Sequence, residues 1–427
     1  MNKRVLIIGY LHPHTRAGGS FRLLPLAKNL PDFGWEPVLL TPRLLSPAAT
    51  ATRIEETDYG DSLGVWGRLF GIKPEKDPRQ QAAERLTASG LGRFTCFLLS
   101  QAGALVNYPD AHKGWREPAL AAGRSFLNDE SFDAILSCHP VASHLVAAAL
   151  SREFSLPWVA DFPDLWSGNH NYGYGPCRRW LDTRLEKKTL AGAKALTTVS
   201  APWADKLKRL HGERPVYAIT NGFNPAEMNE PPTELSDNFS ISYTGLIYPG
   251  RQDIQPLLGA IRELITEGKM DAAHVALNVY GREQPWLTRL AAGMGLESVV
   301  RQHGAVSREA AVNAQRQSQL LLLLDWDLPG ELGVYPGKIF EYLAARRPVL
   351  ATGGNRGSVV GNLLAYTRAG VHAVTAAEIK LALTSFYSEF RATGKVEYNG
   401  LNTEIDKYSH RQMTAQFAKI LDGLAGD

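Results

Sequence analysis

The strongest constraint in this sequence is a repeated pairing of short, wholly apolar runs with longer amphipathic ones. "RVLIIG", "EPVLLT", "FDAILS", "PWVAD" and "KALTTVS" recur through the first half, separated by helical stretches such as "SFRLLPLAKNL", "ASHLVAAALSREF" and "APWADKLKRL". A second set follows from about residue 239: "FSISYTG", "VALNVYG", "SVVRQHG", "QLLLLLDW" and "RPVLAT", again with helical patterns between them. A strand that is apolar on both sides must be covered on both faces, and a helix between each pair of strands implies parallel pairing. The expectation is an α/β fold of two doubly wound, Rossmann-like domains facing an interdomain cleft.

At 427 residues the chain exceeds one ordinary core and suits two domains. The rhythm breaks at residues 43–130, read as an irregular insertion, and at the polar, Pro- and Asn-rich tract 211–238, read as a linker. The expected division is an N-terminal Rossmann-like domain over 1–212 and a C-terminal one over 213–400. A final helix in 401–427 is expected to pack back on the N-terminal domain.

Composition narrows the function. Hydrophobic residues at 44% and charged residues at 21% describe a globular chain. With 46 basic against 43 acidic residues, a net +3 argues against a nucleic-acid binder with a broad basic face. Cys96, Cys138 and Cys177 form no disulfide framework and point to a reducing compartment. The apolar run in "MNKRVLIIGYLHPH" is broken by His12, Pro13 and His14, which favours a first strand over a signal peptide. The run Leu320–Leu324 is far short of the about 20 residues a membrane-spanning helix needs. A cytoplasmic protein is expected, with peripheral contact at the inner face of a membrane as an option. "LGRFTCFLLSQAGALV" at 91–106 would touch a membrane or an acceptor, or else pack within its own domain.

The chemistry concentrates at strand ends, where ligands of such sheets bind. In "GVYPGKIFEYLAARRPVLATGG", residues 333–354, Pro336 and Gly337 lead into a helix that begins near Lys338, with Glu341 one turn on. Exposed helix N–H groups and a lysine attract phosphate, and a carboxylate on the same face can accept both hydroxyls of a ribose. A plain Lys338–Glu341 surface pair is the competing reading. Gly18 and Gly19 end the first strand before a helix capped by Ser20, with Arg16 and Arg22 beside them for an anionic acceptor. His12 and His14 are either cleft residues or structural. His139 ends the third apolar run, and Asp161 and Asp164 follow the fourth, placed to orient or deprotonate an acceptor hydroxyl or to cap the next turn. Arg282 ends "VYGREQP", near a base or phosphate or simply at the surface. No His, Asp and Glu cluster has metal-ligand spacing.

The segment 333–354 resembles the donor-binding segment of family 4 (group 1) glycosyltransferases, which have the GT-B fold. In that family two glutamates stand eight positions apart and the second binds the donor ribose. Glu341 matches the second, and the first would fall at Gly333, where this chain departs from the pattern; Glu331 is displaced by two positions. A subgroup carries Pro-x-Lys before the single glutamate, as Pro336 and Lys338 do here. "YTGLIYPGRQDIQPLLGAI" is similar to the family's first strand and loop of the nucleotide-binding domain. Leu246 stands at its arginine position and Arg251 at its lysine position, suited to grip a diphosphate. "KALTTVSAPWADKLKRL", "YAITNGFNP", "WVADFPDLWSGN" and "YPDAHKGW" also resemble the family or a subgroup.

The resemblance covers nearly the whole chain except 43–130. It implies sugar transfer from a nucleotide-diphosphate donor to an acceptor hydroxyl, with retention and without metal or other cofactor, a UDP- or GDP-sugar being the expected donor. Arg251, Lys338, Glu341, Gly333, Tyr335 and Arg282 would line the donor side. His12, Arg16, Gly18 and Gly19 would form an acceptor or phosphate loop, with Asp161, Asp164 and His139 as catalytic candidates. The partners would be the nucleotide sugar and an acceptor, with no nucleic acid. A nucleotide-sugar epimerase of the same fold and a non-catalytic sugar-nucleotide-binding subunit are the alternatives; a dinucleotide enzyme is disfavoured by the absent G-x-G-x-x-G.

Overall fold

The structure, a computed structural model, describes residues 3–10, 20–43, 52–58, 108–110, 112–228 and 234–425. His12, His14, Arg16, Gly18, Gly19 and the stretch 91–106 lie outside the described residues. The chain forms two compact units, Met1–Ile219 with Thr414–Asp427, and Thr220–Met413.

In the first unit the order is β1 (Lys3–Ile8), α1 (Ser20–Asn29), β2 (Trp35–Pro42), β3 (Arg53–Thr57), α2 (Arg116–Asp129), β4 (Ala134–Cys138), α3 (Val141–Phe154), β5 (Trp158–Phe162), α4 (Pro176–Leu190), β6 (Ala195–Thr198), α5 (Ala201–His211) and β7 (Val216–Ala218). The strands form one parallel sheet in the order β3-β2-β1-β4-β5-β6-β7. The apolar runs become its middle: β4 and β5 are buried at every residue, as a sheet covered on both faces demands. Sequence order reverses between β1 and β4, which opens a crevice at their carboxyl ends.

The second unit follows the same plan with β8 (Phe239–Thr244), α6 (Gln255–Thr266), β9 (Val275–Tyr280), α7 (Pro285–Gly293), β10 (Val300–Gln302), α8 (Arg308–Gln317), β11 (Leu320–Leu324), α9 (Lys338–Ala345), β12 (Val349–Thr352), α10 (Val359–Thr367), β13 (Gly370–Ala373) and α11 (Ala376–Thr393). Its parallel sheet runs β10-β9-β8-β11-β12-β13, so its switch point lies between β8 and β11. The leucine run of β11 sits at the centre, its residues alternating between two apolar clusters on the two faces. Local signals place the helices: Ser307 caps α8 by accepting from Ala310 N, and Thr375 with Glu378 forms a capping box on α11. α12 (Asn402–Ile405) and α13 (His410–Ala425) end the chain.

The described ends of the range 43–130 are regular, which corrects the reading of that range as wholly irregular. β3, "RIEET", is an edge strand; an edge needs no continuous apolar run and is commonly charged, so its sequence gives no strand signal. α2 buries Ala119, Leu120 and Gly123, small residues that leave its periodicity faint.

At the centre of the first unit Arg22 and Asp161 form a bidentate ion pair with both side chains fully buried (0% exposed). Nε donates to Oδ2 at 2.8 Å and Nη2 to Oδ1 at 3.0 Å, while Nη1 donates to the Ile219 carbonyl at 2.8 Å. Thr197 Oγ1 donates to Oδ1 at 2.6 Å, Cys138 Sγ lies 3.4 Å from Oδ2, and the Phe417 ring lies 5.0 Å from the guanidinium carbon. Burial and the adjacent carboxylate push the Cys138 thiol well above its ordinary pKa. Arg22 therefore does not reach an anionic acceptor, and Asp161 serves as its buried counter-ion rather than a solvent-facing base. The reason is the strand pattern: β5 is buried at every position, Asp161 is its fourth residue, and a carboxylate there survives only with a cation. Asp161→Ala leaves that cation unpaired and is expected to cost about 3–5 kcal/mol, read as a large fall in the melting temperature of the first unit; unchanged stability would refute the structural assignment.

Candidate functional site

The carboxyl ends of β8 and β11 and the loops after them build the site of the second unit. Gly245 directly follows β8, and Gly281, directly after β9, approaches so closely that a Cβ there would fall on the Gly245 carbonyl. That contact keeps the two strand ends flush. Lys338, the first residue of α9, reaches across: Nζ donates to Tyr243 Oη at 2.7 Å and sits 4.1 Å from the centre of the Tyr243 ring. A Cβ on Gly245 would lie 3.3 Å from that Nζ. Tyr243 Oη in turn donates to the Leu246 carbonyl at 2.9 Å. Desolvation lowers the Lys338 pKa to about 8, against a smaller upward pull from Glu341. Gly337 precedes α9 without a side-chain cap, so the first helical turn keeps N–H groups for a ligand.

Three loops converge on this point and are laced by main-chain bonds. Asp327 N donates to the Arg251 carbonyl at 2.8 Å, which holds the loop after β8 to the loop after β11. Tyr248 stacks on Trp326 with ring centres 5.6 Å apart, and Gln252 Nε2 donates to the Leu324 carbonyl at 2.8 Å. From the loop after β12, Gly354 N donates to Asp327 Oδ1 at 2.6 Å, and Asn355 Nδ2 donates to the carbonyls of Leu328 (2.8 Å) and Glu331 (3.0 Å). Beneath them Asp325 is buried, accepting from Trp326 N at 2.9 Å and Ser358 Oγ at 3.0 Å; burial raises its pKa. Gly354 has φ of 70°, and a Cβ there would fall on the Asp325 carboxylate, so glycine is required on both counts.

Each expected donor residue has a definite place. Glu341 Oε1 accepts from Arg308 Nη1 at 2.9 Å, so the simple Lys338–Glu341 pair is replaced by two separate partnerships. Arg251 is exposed on the loop after β8, and Arg282 is exposed just after β9. Gly333 is buried, and its N–H donates to Glu331 Oε1 at 2.9 Å, so the carboxylate nearest position 333 belongs to Glu331. Tyr335 is a packing residue with its ring 5.5 Å from Phe340, and burial raises its pKa. Lys338, Glu341 and the main chain at Arg251 are thus drawn around one strand end.

In the first unit His139 follows β4 with a buried Nδ1 that has no hydrogen-bond partner among the described residues. Asp164 lies half-buried in the turn after β5. The "YPDAHKGW" segment is structural at its described residues. Asp110 Oδ2 accepts from Ala142 N at 2.8 Å, capping α3, and the Pro109 carbonyl accepts from Arg178 Nη2. Sequence reading passed over Tyr243, Arg308 and Asn355. The only signal for Asn355 is the glycine-rich "GGNRGS" that follows a strand.

Two parallel α/β units of this kind, with seven- and six-stranded sheets, are the architecture of the GT-B fold. Residues 17–222 match the model of the glycosyl transferase 4-like domain. Sucrose-phosphate synthase from Thermosynechococcus elongatus superposes with a TM-score of 0.62 at 15% identity, covering 99% of this chain and 99% of that one. A glycosyltransferase from Rickettsia africae ESF-5 gives 0.58 at 16%, with 99% of both chains covered. WaaG, a glycosyltransferase involved in lipopolysaccharide biosynthesis, gives 0.58 at 12%, covering 98% of this chain and 100% of that one. At such identities the likeness is one of fold. No curated protein sequence matches the chain.

The Lys338 environment carries a pH signature. Its folded pKa of about 8 lies below the ordinary 10.5, so between these values the unfolded chain holds a proton that the folded chain has released. Stability therefore rises with pH across that window. Lys338→Met is expected to melt above the wild type at pH 7, with the gap closing as the pH approaches 10. Melting curves of both proteins over pH 7–10 test this, and a constant gap would place the lysine charge in water.

Proposed function

We propose that the chain transfers a sugar from a nucleoside-diphosphate donor to an acceptor hydroxyl, with retention and without metal. The observation that supports it most is Lys338, a desolvated lysine at the switch-point end of β8, beside the uncapped start of α9 and one turn from Glu341. A lysine held out of water gains from a dianionic partner far more than a solvated one does. Lys338 and Arg251 would receive the charge that builds on the departing diphosphate, with α9 N–H groups adding to it. Glu341, held by Arg308, would accept from the ribose hydroxyls. Arg282 would approach the base or a phosphate, and UDP- or GDP-sugars are the donors expected.

On the acceptor side His139 and Asp164 are the candidates. His139 has an unsatisfied ring nitrogen that an acceptor hydroxyl would complete. Asp161 is not among them, because its oxygens are engaged by Arg22, Thr197 and Cys138. With two cations and a helix terminus to neutralise the leaving group, turnover is expected to continue in EDTA. A donor incubated without acceptor should remain unconverted, which separates transfer from epimerisation.

A thermal-shift panel of UDP, GDP, ADP and dTDP tests the donor site. A nucleotide at 100 times its dissociation constant stabilises by about 2.7 kcal/mol. One base should stand out, and Lys338→Met should weaken that nucleotide by about 10–100-fold, the loss of one charge-assisted hydrogen bond. Binding needs the protonated lysine, so affinity should fall above pH 8, approaching tenfold per pH unit, and Lys338→Arg should remove that fall. If no nucleotide shifts the melting curve, the donor assignment is wrong.

A further inference from the structure

α4 is built inside out. Its inner face carries the charged Arg178, Asp182 and Glu186, each at most 3% exposed, and each charge is answered there. Arg178 Nε donates to both Asp182 oxygens at 3.0 Å. Glu186 accepts from Ser167 N at 2.9 Å and from Ser167 Oγ, with His211 Nε2 3.2 Å away. Its outer face carries Trp180, 56% exposed, followed by Arg184, Lys187 and Lys188. Those four stand at i, i+4, i+7 and i+8, which is one stripe of an α-helix. Arg184 lies over the Trp180 ring at 4.5 Å. Among the described residues none of the three cations has an ion-pair partner. The His211–Glu186 contact brings the last turn of α5 alongside, with exposed Lys208 and Arg209.

The charge is segregated. Residues 176–215 hold ten Lys and Arg against four Asp and Glu, a surplus of six where the whole chain has only +3. Two of those four anions, Asp182 and Glu186, are buried and turned away from the stripe.

We propose that this α4 stripe seats the first unit on an anionic phospholipid surface. A convex helix offers no groove for a peptide and no series of aromatic rings for successive bases. It does offer a row of cations on flexible stems around one amphipathic indole, the combination that partitions to the headgroup level of a membrane. The charge complement is a plane of phosphates, toward which each cation adds about fivefold in partitioning. The inference does not depend on the donor site.

Co-sedimentation of the whole chain with phosphatidylcholine vesicles, with and without about 30% phosphatidylglycerol, tests it. The wild type should pellet with the anionic vesicles only and release as salt rises from about 0.1 M to about 0.5 M. Arg184→Glu with Lys187→Glu and Lys188→Glu should weaken binding at least about 100-fold, three such factors combined, and Trp180→Ala about tenfold. All four side chains are exposed, so melting curves and any nucleotide-induced shift should be unchanged. If the triple variant folds poorly, Lys187→Gln with Lys188→Gln still predicts a loss of about 25-fold. Equal binding by wild type and variants, or no binding to anionic vesicles at low salt, overturns the proposal. So does binding to a polynucleotide in the absence of vesicle binding, which would assign the stripe to nucleic acid.

Discussion

One buried ion pair organises the first unit. Arg22 leaves α1, passes over the Phe417 ring and closes on Asp161 of β5, with Thr197 of β6 and Cys138 of β4 completing the shell. The remaining guanidinium donor ends on the Ile219 carbonyl, where the first pass of the chain through this unit stops. Removing two charges from water is costly, and the expense is offset only when every donor and acceptor meets a partner. The strand register, the tilt of α1 and the seat of the last helix must therefore be satisfied together. The loops that bear His139 and Asp164 grow from strands anchored in this way.

Among its described residues the second unit is held by single main-chain and side-chain contacts rather than by a buried bidentate ion pair. Its switch-point loops are held by carbonyls, amides, Asp327 and Asn355, and the buried carboxyl beneath them, Asp325, accepts from a hydroxyl and a main-chain N–H with His372 Nε2 3.7 Å away. Lys338 is the contrast: it is desolvated against Tyr243 and its nearest carboxylate, Glu341, is bonded to Arg308. A rigid cradle around a cation short of counter-charge costs no reorganisation when an anion enters, which is what electrostatic preorganisation requires.

The fold was largely legible because a parallel sheet covered on both faces writes itself as apolar runs. "QLLLLLDW" and "FDAILS" could be little else. β3 was invisible, since an edge strand with charged side chains obeys no apolar pattern. The site was legible in part. Lys338 and Glu341 stand at a helix start after a Gly- and Pro-rich loop, and that position is local information. Their partners are not: Tyr243 is 95 residues from Lys338 and Arg308 is 33 from Glu341, distances that only the folded sheet closes. Asp161 shows the converse. A carboxylate after a strand looks catalytic until the arginine 139 residues earlier is seen beside it.

The division of the chain has a consequence for biosynthesis. Residues from Thr414 onward count with the first unit, where Phe417 lies under Arg22 and Asp422 accepts from Lys3 and from the Trp35 indole. A ribosome delivers the seven strands of that unit early, yet the helix that covers Trp35 and the buried guanidinium arrives only after the whole second unit has emerged. The part translated first is thus the part completed last, and until then Trp35 and the Arg22 guanidinium lack that cover.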